Sequence, residues 1–246
     1  MLVEACVDSV ESALAAERGG AGRLELCDAL FDGGTTPSAG MIAGCRERVS
    51  IPLFVIIRPR GGGFVYSDAE LDVMHRDIVA ARGLGVDGVV IGAMRSDGSV
   101  HEEQTRLLVD TAGSLPVTFH RAFDFAPDLA AALEALVTAG VSRVLSSGGA
   151  PTAREGADAL AALVRQAGSR MAVMAGGGVR EENVRDIIAT TGVREVHVRL
   201  TRLTRGAGPA LREGVTVRKA LPRDEAAWEE TDEARIRGFA IAAAGA

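Results

Sequence analysis

The chain has 246 residues, 47% of them hydrophobic and 4% aromatic, with a formal net charge of -6. That balance carries no basic face of the kind that binds nucleic acid, and an acidic surface disfavours anionic membranes. No apolar run reaches the roughly 20 residues that span a bilayer, and the early Glu4 follows no basic stretch, so a soluble, cytoplasmic protein is expected.

Short β-rich apolar runs alternate with longer amphipathic ones about every 30 residues, the size of a βαβ unit. Strands are predicted at 2–7, 23–28, 53–59, 88–94, 116–123, 143–149, 170–178 and 195–200. Between them lie helical patterns. In "SDAELDVMHRDIVAARGLG", Ser67 is a predicted N-cap and Glu70 completes a capping box. Other helices are expected to stop at Gly19, Gly113, Gly140, Gly168 and Gly192. Residues 201–223 have weak periodicity and many arginines and are predicted to form a long loop, after which "DEAAWEETDEARIRGFAIAAA" returns to helix. The expected fold is α/β: one (β/α)8 TIM barrel covering 1–246 as a single domain.

Side chains alternate across a strand, so in a barrel parity sorts helix-facing residues from lumen-facing ones. It turns Glu4, Cys6, Asp8, Glu25, Cys27, Phe54, Ile56, Arg58, Thr118, His120, Glu195, His197 and Arg199 inward. Barrel interiors are usually bulky and branched. A buried ion-pair network accounts for part of this set, but pairing alone stabilises weakly, so charges from several strands favour a site.

Further candidates cluster where strands end. "IRPRGGGFVYS" sets Arg58 and Arg60 around a proline before three glycines, a loop suited to gripping a carboxylate or phosphate. In "VTFHRAFD", Arg121 and Asp124 follow His120, and Asp124 is either a mouth residue or a cap for the helix opening near Pro127. Gly177 and Gly178 in "MAGGGVREENV" offer backbone N–H groups to an anion. Cys6, Cys27 and Cys45 make an odd count with no C-x-x-C pair, so reduced thiols are expected. Cys6 and Cys27 face inward on adjacent strands about 4.8 Å apart. They either pack as small hydrophobes or offer paired sulfur to a soft ion such as Cu(I).

These blocks resemble the copper homeostasis CutC family: "EACVDSVESALAAERGGAGRLELC", "GGTTPS", "IPLFVIIRPRGGGFVYSDAEL", "LPVTFHRAFD", "RVLSSGG", "MAGGGV" and "REVH" occur in the family's order over about the first four-fifths of the chain. The resemblance implies a cytoplasmic barrel, a homodimer or larger, linked to copper tolerance, with Cys6 and Cys27 matching the proposed Cu(I) ligands. After His197 the family continues with small residues, whereas here Val198 and Arg199 stand. That departure leaves Arg199 or Arg202 to supply any anion site there.

Two functions follow. In the first, Cys6 and Cys27 bind Cu(I), and the partner is a copper ion. In the second, the barrel is a lyase or isomerase acting on a small anionic metabolite. Arg58, Arg60, Arg121, Asp124, Gly177, Gly178 and His197 line its ligand site, and Glu25 and His120 exchange protons. Lys219 is the sole lysine and lies on no predicted strand, which argues against a Schiff base. No organic cofactor is implied.

Overall fold

The computed structural model describes residues 1–206 and 226–245. Eight parallel strands close a barrel in chain order: β1 (Leu2–Val7), β2 (Arg23–Leu26), β3 (Leu53–Ile56), β4 (Gly88–Ile91), β5 (Val117–Phe119), β6 (Arg143–Ser146), β7 (Ala172–Ala175) and β8 (Glu195–Val198), which returns to pair with β1. Around it run α1 (Val10–Arg18), α2 (Ala39–Arg46), α3 (Asp68–Gly83), α4 (Glu102–Ala112), α5 (Leu129–Thr138), α6 (Ala157–Ala167), α7 (Val184–Thr191) and α8 (Glu233–Ala244). The TIM barrel expected from the sequence is the fold.

Local chemistry sets the helix ends. Ser67 Oγ accepts the Glu70 N–H at 3.3 Å while Glu70 Oε2 accepts the Ser67 N–H at 2.8 Å, which closes the capping box on α3. At the end of α1 the left-handed residue is Gly20, not Gly19: the backbone stays helical through Gly19 and turns one residue later.

Strand parity divides the core as the alternation requires. Val3, Ala5, Val7, Leu24, Leu26, Leu53 and Val55 face the helix layer. Cys6, Cys27, Phe54, Ile56 and Val90 make a smaller cluster inside the barrel. Fully buried leucines such as Leu24 and Leu26 each stabilise by roughly 1.5–3 kcal/mol, so a one-residue register slip on β2 would be prohibitive. Gly88 is needed for packing: a Cβ there would stand 2.5 Å from the Phe54 ring.

The stretch from 201 corrects two expectations. The predicted loop over 201–223 opens instead with β9 (Thr201–Arg205), antiparallel to β10 (Ala227–Thr231), which takes the start of the stretch expected to be helix. Residues 207–223 of that loop lie outside the described residues. Of the arginines read as loop composition, Arg202 and Arg205 stand exposed on β9. Arg202 is registered opposite Glu230, with 3.6 Å between their charged groups, a favourable cross-strand pair.

Candidate functional site

Parity and register assemble a polar cluster inside the barrel from β1, β2 and β8. Cys6 is paired in register with Glu25, and Glu4 with His197. Cys27 lies two residues beyond Glu25 on the same face, and its Sγ reaches Cys6 Sγ at 3.8 Å. All three cysteines are buried and free, and Cys45 packs in the helix layer. Ligand atoms of Cys6, Glu25 and Cys27 lie within 4.8 Å of one another, as do those of Glu4, Glu25 and His197.

An ion-pair network supports the cluster from beneath. Arg23 donates through Nε to Glu4 and through Nη2 to Glu195 at 2.6 Å, and Arg143 also donates to Glu195. Both guanidinium groups lie over the Phe54 ring, at 5.0 and 5.5 Å. Sequence reading named Glu4 and Glu195 but missed Arg23 and Arg143, although Arg23 shares the parity of Glu25. His197 Nδ1 sits 2.8 Å from Glu4 Oε1, and Nε2 faces Glu25 Oε2 at 3.6 Å.

Burial and these contacts sort the protons. The hydrogen bond with Cys27 holds the Cys6 thiol down at about 5 against burial, with His197 adding to the pull. The same bond, then burial, drives Cys27 well above the usual thiol range. Burial pushes Glu25 up to about 8 despite the attraction of His197. Burial would lower His197, but hydrogen bonds to Cys6 and Glu4 raise it well above the usual histidine value. Burial would raise Glu4, but His197 and Arg23 bring it to about 2. These shifts favour ionisation at Cys6 and at His197 and retention of the proton at Cys27 and Glu25.

The other candidates lie at the mouth. Among the described residues no hydrogen bond or ion pair joins Glu25 to His120; Glu25 faces His197 instead. His120 follows β5, its Nδ1 accepting the Ala122 N–H at 3.1 Å. Arg58 and Arg60 hold the glycine loop: Arg58 donates to the carbonyls of Asp32, Gly34 and Gly62, each at 2.7 Å, and Arg60 pairs with Glu70 and reaches the carbonyls of Gly63 and Val65.

Asp124 does not cap α5; Asp128 does, accepting the Ala131 N–H at 3.0 Å. Asp124 instead accepts from Ser146 Oγ at 2.6 Å, from the N–H groups of Ser147 and Gly149, and from Arg121 Nε at 2.8 Å, which ties the β5 and β6 loops together. Ser146 and Ser147 carried no signal that sequence reading used. Gly177 and Gly178 both take positive φ, and a Cβ on Gly177 would stand 3.2 Å from the Arg121 guanidinium. Arg199 pairs with Glu229 at 2.7 Å.

The CutC family model matches residues 1–201, a span that contains all eight barrel strands and the whole cysteine cluster. This chain belongs to the CutC family. It is 47% identical over 237 residues to the copper homeostasis protein cutC homolog of Mus musculus, covering 96% of this chain and 87% of that one. It is likewise 47% identical over 238 residues to the CutC family protein of Chromobacterium violaceum, covering 97% and 96%. A CutC crystal structure from Streptococcus agalactiae superposes with a TM-score of 0.77 at 37% identity, covering 80% of this chain and 97% of that one. Among the described residues no helix is long and apolar enough to cross a membrane.

Proposed function

We propose that this CutC family member binds Cu(I) inside the barrel through Cys6 and Cys27 and serves cytoplasmic copper handling, as a homodimer. The observation that carries this reading is the 3.8 Å approach of two buried sulfurs. The donor set suits the ion: thiolate sulfur selects Cu(I) over hard cations, and the contact with Cys27 holds the Cys6 thiol below the usual range. Glu25 is the third donor within reach. When bound, Cu(I) would supply a soft charge that neutralises the thiolates. The protein's own part is to hold both sulfurs reduced, out of water and beside His197. Free, reduced cysteines accord with a cytoplasmic location.

The test is an anaerobic Cu(I) titration of the reduced protein against a competing chelator, beside Cys6→Ser and Cys27→Ser, with sedimentation to read the oligomer. Tight one-to-one binding lost in both variants supports the reading. Weak binding that neither substitution changes overturns it.

A second reading, acid–base chemistry on a small anion, is favoured by one observation: Glu25, raised by burial, lies in register with Cys6, whose thiol is lowered. These are a proton donor and acceptor of the kind isomerases and lyases need. In that reading the partner of Glu25 is His197, with His120 kept apart from it. Abolished turnover in Glu25→Gln, on a substrate found by metabolite screening, supports it; full turnover overturns it.

A further inference from the structure

Three buried polar atoms near the barrel mouth make no hydrogen bond of good geometry among the described residues: Arg58 Nε, Tyr66 Oη and His120 Nε2, although Tyr66 Oη lies near enough to the Arg58 side chain to interact with it. Their residues are 4%, 6% and 6% exposed, so water does not reach them freely. Each such orphan costs about 1–3 kcal/mol, and more for a charged group, so three in one region require an explanation.

What is missing is an acceptor. His120 Nδ1 accepts the Ala122 N–H, so the proton of the neutral ring sits on Nε2. Burial, then the Arg58 charge, pushes His120 down to about 3, which keeps the ring neutral. Arginine Nε only donates, and a tyrosine hydroxyl can donate.

Charge narrows the choice. Arg23, Arg60, Arg121 and Arg143 each meet a carboxylate. Arg58 is as buried as Arg23, yet its two Nη groups meet backbone carbonyls and, among the described residues, no carboxylate. A buried cation without a counter-charge is costly, and one unbalanced positive charge matches a monoanion.

The surroundings supply the rest of a binding site. The Arg58 guanidinium lies 5.1 Å over the Phe64 ring, and the His120 ring centroid is 5.0 Å from the same ring. Phe64 also lines a cleft of about 440 Å³ with Gly62, Gly63, Met94, Gly98 and Phe125, a size typical of small-molecule pockets. Gly92 lets the imidazole settle: a Cβ there would stand 2.2 Å from His120 Cε1.

We propose that Arg58, Tyr66 and His120 receive the carboxylate of a small organic acid whose apolar part lies against Phe64 in the adjoining cleft. This site does not involve the cysteine pair and stands independently of copper binding.

The test titrates protein labelled with ¹⁵N-histidine with phenylacetate, benzoate and hexanoate, and with 2-phenylethanol as a neutral control, observing His120 Nε2 by NMR and affinity by calorimetry. The expected result is a saturable shift of that resonance by at least one carboxylate, none by the alcohol, and at least a tenfold affinity loss in His120→Phe. Silence from all three acids, equal binding of the alcohol, or tighter binding of inorganic phosphate would each overturn the assignment. Should His120→Phe fail to fold, the wild-type resonance decides.

Discussion

Cys6 and Cys27 bring their sulfurs to 3.8 Å although Cys6 is registered opposite Glu25, two residues short of Cys27. The diagonal contact makes the two thiols unequal: it lowers Cys6 to about 5 and raises Cys27 well above the usual thiol range. An ultraviolet thiolate titration of the metal-free protein should show one thiolate forming near pH 5 and two thiols silent until above pH 9, since burial lifts Cys45 to about 11. Cys27→Ala removes the hydrogen-bond partner and should move the first transition upward. No change in absorbance between pH 4 and 6 in the wild type would contradict the asymmetry.

His120 predicts how the fold responds to acid. Burial and the neighbouring Arg58 lower its pKa from 6.5 to about 3, so below pH 6.5 the unfolded chain binds a proton that the native chain refuses. The stabilisation is complete above pH 6.5 and is lost as pH falls toward about 3, on the order of a few kcal/mol in all. Urea denaturation at stepped pH should show His120→Phe losing less stability than the wild type between pH 6.5 and 4. Parallel slopes in the two proteins would mean that His120 is not the responsible group.

Arg23 joins Glu4 and Glu195 deep in the barrel, and removing it takes one cationic partner from each, leaving Glu4 to His197 and Glu195 to Arg143. Arg23→Met should therefore destabilise in chemical denaturation, by less than the about 3–5 kcal/mol of a buried charge left with no partner. Adding Glu4→Gln removes one carboxylate that lost a partner and should recover part of that loss, a coupling that independent sites would not show. Additive effects in the double variant would refute the network.

The barrel and the inner polar set were legible because strand period 2 and the helical period are both written in the side chains. Val3, Ala5 and Val7 could face only the helices, which left Glu4 and Cys6 for the lumen. The mouth was less legible, because there the partners are backbone atoms of other loops. Nothing in "RPRGGG" reveals that Arg58 is committed to the carbonyls of Asp32, Gly34 and Gly62. Nor does spacing show that Glu25 meets His197 rather than His120, since strand order around a closed barrel decides that. The β9–β10 ribbon escaped notice because its strands lie far apart in sequence and no tight-turn signal joins them.

Asp124 and Asp128 stand four residues apart, and either could be read as the cap of α5, yet their substitutions should differ sharply. Asp128 accepts one N–H, from Ala131, so Asp128→Ala should cost about 1 kcal/mol, the usual value of a helix cap. Asp124 accepts from Ser146, Ser147, Gly149 and Arg121 while largely buried. Asp124→Ala leaves the Ser147 and Gly149 N–H groups and the Arg121 guanidinium without that acceptor, and should cost about 2–4 kcal/mol. It should also loosen the loop over 146–150, because Ser146 Oγ, held by Asp124, itself accepts the Gly148 N–H at 2.8 Å. Thermal denaturation gives the first comparison and amide hydrogen exchange at Gly148 and Gly149 the second. Equal losses of stability with unchanged exchange would show that Asp124 does not hold the β5 and β6 loops together.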